Sequence, residues 1–62
     1  MANRFRAIAL NSNDIERTLV YHPKIRTDKA SADKDLLELK ATYPDRKTFT
    51  VIRPGEPLWK DD

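Results

Sequence analysis

The stretch SADKDLLELKATY, residues 31–43, decides the fold that this sequence predicts. Its apolar residues recur at intervals of four, three and four, which places them on one face of a helix. These residues are Ala32, Leu36, Leu39 and Tyr43, with Leu37 widening the stripe. Ser31 is the expected N-cap of the helix. Pro44 ends it, because proline disfavours helical geometry in the residue that precedes it.

Before and after this helix in the chain, the character of the side chains alternates with the two-residue period of β-strands. Strands are predicted over residues 4–10, 16–22 and 47–53, with turn-forming residues at 11–14. The order ββαβ has one economical arrangement, an α+β domain with a three-stranded antiparallel sheet in the order 2-1-3. The helix packs on one face of that sheet. We assign residues 1–54 to this single domain and residues 55–62 to a C-terminal tail.

The two faces of the predicted sheet differ in polarity, and either face is a possible partner for the helix. Face A comprises Phe5, Ala7, Ala9, Leu19, Tyr21, Phe49 and Val51. Face B comprises Arg4, Arg6, Ile8, Leu10, Thr18, Val20, His22, Thr48, Thr50 and Ile52. We expect face A inside, because it is nearly free of polar residues and its alanines let a helix approach closely. A core on face B would leave the aromatics of face A exposed, as a base-stacking platform.

The tail contains the only tryptophan, Trp59, next to Leu58. Two uses compete for this pair: a plug over a small core, or an anchor in a pocket of a partner protein. We predict the plug, because an exposed Leu–Trp pair favours aggregation of a free monomer.

Composition excludes many classes of chemistry. The 62 residues contain no cysteine and a single histidine, which leaves no disulfide, no thiolate zinc site and no cysteine nucleophile. His22 is expected to be exposed at a strand end. The helix acids Asp33, Asp35 and Glu38 match no calcium loop and are expected to form a solvated face. Gly55, the only glycine, offers no phosphate-binding loop. We therefore predict no enzyme, no cofactor and no metal.

No apolar run approaches the roughly 18 residues that a membrane span needs, and the sequence predicts a cytoplasmic protein without a membrane partner. The net charge is only +2, but basic residues gather on the predicted hairpin. They are Arg4, Arg6, Arg17, Lys24 and Arg26. Such a patch binds either phosphate backbones or an acidic protein surface. A small nucleic-acid-binding protein that uses these five residues is therefore the alternative function.

Two short sequences, Tyr43-Pro44 at the end of the helix and Ile52-Arg53-Pro54 at the end of the third strand, carry a resemblance. In these residues and in its strand–strand–helix–strand layout, the chain resembles the small inhibitor of host RNA polymerase made by short-tailed lytic coliphages. In that family, arginines at the end of the third strand contact the polymerase, and Arg53 matches one of them. Val51 stands where the family has a second arginine, and the acidic strip of its second strand is reduced here to Glu16.

The resemblance implies a non-enzymatic protein that binds and inhibits a bacterial host protein in the host cytoplasm, with RNA polymerase as the first expected partner. The expected partner-binding residues are Arg4, Arg6, Arg17, Arg53 and Trp59.

Overall fold

The computed structural model describes residues 3–60, so residues 1, 2, 61 and 62 of the predicted domain and tail lie outside it. The elements in chain order are β1 (Arg6–Leu10), α1 (Ile15–Thr18), β2 (Val20–Tyr21), α2 (Lys29–Thr42) and β3 (Thr48–Ile52). The sheet is antiparallel with the order β2-β1-β3. The predicted α+β fold, with one main helix on a three-stranded sheet, is therefore confirmed. Within residues 3–60, no helix is long and apolar enough to cross a membrane.

The main helix, α2, begins three residues earlier than its predicted N-cap implies. Asp28, and not Ser31, is the N-cap: its side chain accepts a 3.0 Å hydrogen bond from the Ser31 backbone N–H. The Ser31 hydroxyl donates to the same carboxylate. A carboxylate satisfies the free N–H groups of the first turn and also opposes the helix dipole, which explains why Asp28 takes the cap. The helix ends before Pro44, as predicted.

The prediction is wrong for the first half of the second strand. Residues 15–18 form the one-turn helix α1, and β2 keeps only Val20–Tyr21. Hydrogen bonds of Thr18 hold this turn: its hydroxyl donates to the Asp14 carbonyl and accepts from the Asn11 backbone N–H. Local side-chain bonds of this kind compete with strand pairing. The β-branched pattern of the segment therefore does not decide its structure.

Both faces of β1 are buried, so the sheet has two small cores. On the helix side, Ala7 and Ala9 of β1 pack against Leu39. The residues around this cluster are Val20, Leu36, Tyr43 and Phe49. The face A prediction is thus confirmed for Ala7, Ala9 and Phe49, because β3 pairs in the expected phase, with Ala9 opposite Phe49. Leu37, expected to widen the helix stripe, is 67% exposed.

On the other side, Ile8, Leu10 and Ile52 form the second core, and Leu58 and Trp59 of the tail pack against it. The predicted plug is therefore confirmed. The turn that returns the tail contains Gly55, whose φ of 94° is in the left-handed region that favours glycine. Burying this face corrects the expectation that only face A lies inside.

The phase of β2 is opposite to the prediction. Val20 pairs with Ala9 and therefore points to the helix side, while Leu19 and Tyr21 pack in the second core. Residues directly opposite each other share a face, so a shift of one residue exchanges every side chain of a strand. The unforeseen helix α1 changes the number of residues in the connection, and this sets the shifted register.

Candidate functional site

The first predicted contact residue, Arg6, lies inside the molecule. It is 7% exposed, and its Nε donates a 2.7 Å hydrogen bond to the His22 carbonyl. One terminal nitrogen donates to the Lys60 carbonyl at 3.2 Å, and the guanidinium lies 5.0 Å from the centre of the Tyr21 ring. Arg6 thus ties the tail to the sheet and is not presented to a partner.

The other hairpin cations do not join into one patch. Arg26 forms two hydrogen bonds with the buried carboxylate of Asp35, at 2.8 and 3.0 Å. Arg17 is exposed and lies 3.8 Å from Asp14. Lys24 and Arg26 line the same small cavity on the helix side of the sheet, opposite to the side on which the tail covers Arg6. The structure therefore brings two of the five residues of the nucleic-acid alternative to one cavity and does not gather all five into one patch.

A polar cluster on the helix side contains two residues that the sequence analysis placed in solvent. His22 and Asp35 are 4% and 3% exposed, so the predictions of an exposed histidine and of a solvated Asp35 are wrong. His22 Nε2 lies 2.8 Å from Glu38 Oε2, and the Lys24 backbone N–H donates to Nδ1. These bonds fit the tautomer with hydrogen on Nε2. Val20 and His22 face the helix together because β2 has the shifted phase.

The charge of Asp35 is stabilised in this cluster. The hydrogen-bonded Arg26 guanidinium holds the pKa of the Asp35 carboxyl below its ordinary value, although burial acts in the opposite direction. The same carboxylate raises the pKa of Arg26. Because both Asp35 oxygens already accept bonds from Arg26, the pair fastens the segment after β2 to the helix.

Oxygen and nitrogen atoms of His22, Asp35 and Glu38 lie within 4.8 Å of one another, a spacing that metal sites also have. A cation at this point would lie against the Arg26 guanidinium, which already donates to both oxygens of Asp35. It would have to displace the Lys24 N–H from the imidazole. The arrangement fits an internal ion-pair cluster better than a metal centre.

Two predicted contact residues, Arg4 and Arg53, do come together. They line an open cavity of about 450 Å³ at one end of the sheet, beside Phe5 and Glu56. Both arginines are exposed. The Glu56 carboxylate accepts a 2.6 Å hydrogen bond from the Arg53 backbone N–H. We call Arg4, Phe5 and Arg53 the arginine surface. Trp59, the remaining predicted contact, packs on the second core instead.

A second surface follows the crevice between α2 and β3, which we call the edge groove. Its central part is an open cavity of about 420 Å³ with both apolar and charged residues in its walls. The lining residues are Asp33, Leu36, Leu37, Lys40, Lys47 and Phe49. Towards the arginine surface the groove continues as a cavity of about 260 Å³, which Lys29, Val51 and Arg53 help to line.

Sequence reasoning did not identify the edge groove as a site. The signal for it was Leu37, which falls next to the apolar stripe of the helix, and the alternation in β3 that turns Phe49 and Val51 to the helix side. Searches against protein-family models, curated proteins and solved structures found no match to this chain.

Proposed function

We propose that this protein is a non-enzymatic module that binds a bacterial host protein and inhibits it by occupying a site on its surface. The observation that carries the proposal is the arginine surface, where Arg4 and Arg53 lie around the half-buried ring of Phe5. Arginines and aromatic rings contribute most of the binding energy in many protein interfaces. The first candidate partner is RNA polymerase, because Arg53 has the position of a polymerase-contacting arginine in the family that the sequence resembles.

Charge supports an acidic site on the partner. Within residues 3–60, no ion pair or side-chain hydrogen bond engages the Arg53 guanidinium, and Glu56 contacts only the main chain of Arg53. The planar guanidinium can bind a carboxylate through two parallel hydrogen bonds. Placing Arg53 beside a partner carboxylate therefore costs the folded protein no internal contact.

The test is affinity capture from a bacterial lysate with the tagged full chain, followed by transcription assays with purified RNA polymerase. Arg53→Glu should reduce capture of the partner at least about tenfold, as expected for an arginine at the centre of an interface. Lys34→Glu is the matched control, because it makes the same change of charge at an exposed position of α2 away from the arginine surface. Lys34→Glu should retain capture.

Three results would contradict the proposal. One is capture that Arg53→Glu and Lys34→Glu reduce equally, which would indicate a general effect of charge. Another is the absence of any protein above background. The third is recovery of nucleic acid alone with a steep salt dependence, which would favour the nucleic-acid alternative, since each phosphate contact contributes roughly −0.7 to −0.9 to the slope of log affinity against log salt.

A further inference from the structure

We infer that the partner contributes an extended acidic segment, which pairs with the outer edge of β3 as a fourth strand and places its side chains in the edge groove. This inference rests on the proposed function, because it names the chemistry of the partner that the module binds.

The first reason is the main chain of β3. All five residues of Thr48–Ile52 pair with β1 on one side. Within residues 3–60 the sheet ends at β3, so its other side has no neighbouring strand. Proline and glycine are absent from the strand. An edge of this kind presents a regular row of N–H and C=O groups, which is the template that extended peptides use when they add to a sheet.

The second reason is that apolar side chains line the edge groove beside this strand. Alternate side chains of an added strand point to the helix side of the sheet, where the edge groove lies. Leu37 is 67% exposed there, and the half-buried Leu36 and Phe49 face the same cavity. An added strand would cover these residues, while its remaining side chains would lie beside the exposed Thr48 and Thr50.

The third reason is charge. Four cations line the edge groove and its continuation, Lys29, Lys40, Lys47 and Arg53, against the acids Asp33 and Glu56. Both acids are already engaged, Asp33 by Lys29 at 3.4 Å and Glu56 by the main chain of Arg53. Lys40, Lys47 and Arg53 have no ion pair within the described residues. Acidic residues in the added strand would neutralise them.

A second copy of this chain fits the same edge poorly. Antiparallel pairing of two β3 strands over all five residues is centred on Thr50, and it would place Lys47 of each copy opposite Arg53 of the other. Like charges directly opposite each other destabilise a strand pair. An acidic segment from a different protein removes this conflict.

The test is an NMR titration of the isotopically labelled full chain with an acetylated and amidated octapeptide of glutamate and valine in the order Glu-Glu-Val-Val-Glu-Glu-Val-Val, which puts both acidic and apolar side chains on each face of an added strand. We expect amide shifts within Thr48–Ile52 and at Leu37. N-methylation of alternate peptide residues, tried in both phases, removes donors from the added strand, and one phase should abolish the shifts. A lysine–valine octapeptide is the charge control and should leave the spectrum unchanged.

On the protein side, Lys47→Glu should weaken binding of the acidic octapeptide about three- to tenfold, because it replaces an attraction at the rim by a repulsion. Lys34→Glu, with the same change of net charge outside the groove, should change the affinity less than about twofold. Thermal unfolding of both variants confirms that each retains the fold.

The inference is overturned by any of four results: no shift within Thr48–Ile52 at millimolar octapeptide, equal binding of both N-methylated peptides, equal binding of the lysine–valine peptide, or shifts of β3 that depend on protein concentration alone. The last result would indicate a second copy at this edge. If these results occur while Arg53→Glu still abolishes capture of the partner, the proposed function stands and only strand addition fails. If the octapeptide binds as expected but no protein is captured, the proposed function fails by itself.

Discussion

The two sides of the central strand β1 are completed in different ways. On the β2 side, the chain pairs for only two residues, and further backbone bonds join His22 to Ala7 and Arg26 to Phe5. Side chains then fasten this side to the helix through the Arg26–Asp35 ion pair. On the β3 side, five residues pair regularly, yet the outer edge has no strand beside it within the described chain. The β2 side therefore uses its polar groups in internal contacts, whereas the β3 side keeps main-chain groups available for pairing with another strand.

The largest effect on stability is expected at Leu39, because both sides of the sheet depend on this residue. Leu39 packs beneath Ala7 and Ala9 of β1 and is 4% exposed. Leu39→Ala should lower the free energy of unfolding by about 2–5 kcal/mol, because it leaves a cavity under the central strand. Urea unfolding followed by circular dichroism measures this loss. Both sides of the sheet should unfold together, and a loss under about 1 kcal/mol would show that Leu39 is not a core residue.

A domain of this size has only about 3–5 kcal/mol of stability from its core. Leu39→Met, which nearly conserves the side-chain volume, therefore serves as the milder variant. It should cost less than about 1.5 kcal/mol. The expected ranking of the two variants keeps the test decisive even if Leu39→Ala does not fold.

The next largest effect on stability should differ between the two sides of the sheet. Asp35→Asn removes the carboxylate that accepts both hydrogen bonds from Arg26 and should lower the free energy of unfolding by about 1.5–3 kcal/mol at neutral pH. Hydrogen exchange should quicken around residues 22–26 more than within β3. Equal loss of protection on both sides would contradict the view that this ion pair belongs to the β2 side.

The same residue predicts the acid dependence of stability. The pKa of Asp35 is lower in the folded chain than its ordinary value of 3.8, chiefly through the hydrogen bonds from Arg26. Its stabilising contribution is therefore complete above that value and is lost as the pH falls through the folded pKa. Urea midpoints between about pH 2 and pH 6 should fall more steeply for the natural protein than for Asp35→Asn. Parallel curves would rule out this contribution.

A smaller effect is expected from the tail, which covers the face of the sheet away from the helix. Trp59 is half-buried on the second core, and the Tyr21 hydroxyl donates to the Leu58 carbonyl. Trp59→Ala should cost about 0.8–1.5 kcal/mol, half the value for a fully buried large apolar side chain. If stability is unchanged while capture of the partner is lost, Trp59 is a contact residue and not a plug.

The sequence predicted the fold order well because the helix stripe and the β3 alternation are each set by residues close in the chain. The phase of β2 was missed because it depends on α1, where the hydroxyl of Thr18 outweighs the strand propensity of its neighbours. His22 and Asp35 were missed for a related reason: their meeting follows from the β2 phase and from pairing across the sheet. No local sequence pattern encodes the β2 phase or the pairing across the sheet.

The candidate site was predictable in part. An open edge at β3 follows directly from the order 2-1-3, and the position of Arg53 beside that edge follows from the end of the strand. Burial of Arg6 did not follow, because it requires the tail to return through Gly55 and to offer the Lys60 carbonyl. The edge groove depends on how α2 packs beside β3, which a local sequence pattern does not specify.

Amide hydrogen exchange along β3 tests the central claim, that this edge accepts a strand, most directly. In the protein alone, alternate amides of Thr48–Ile52 should exchange quickly, because they point away from β1, while the others are protected by pairing. Addition of the glutamate–valine octapeptide should slow the fast amides at least about tenfold and leave residues 20–26 unchanged. Fast exchange that persists with the peptide bound, or new protection on the β2 side instead, would contradict the account.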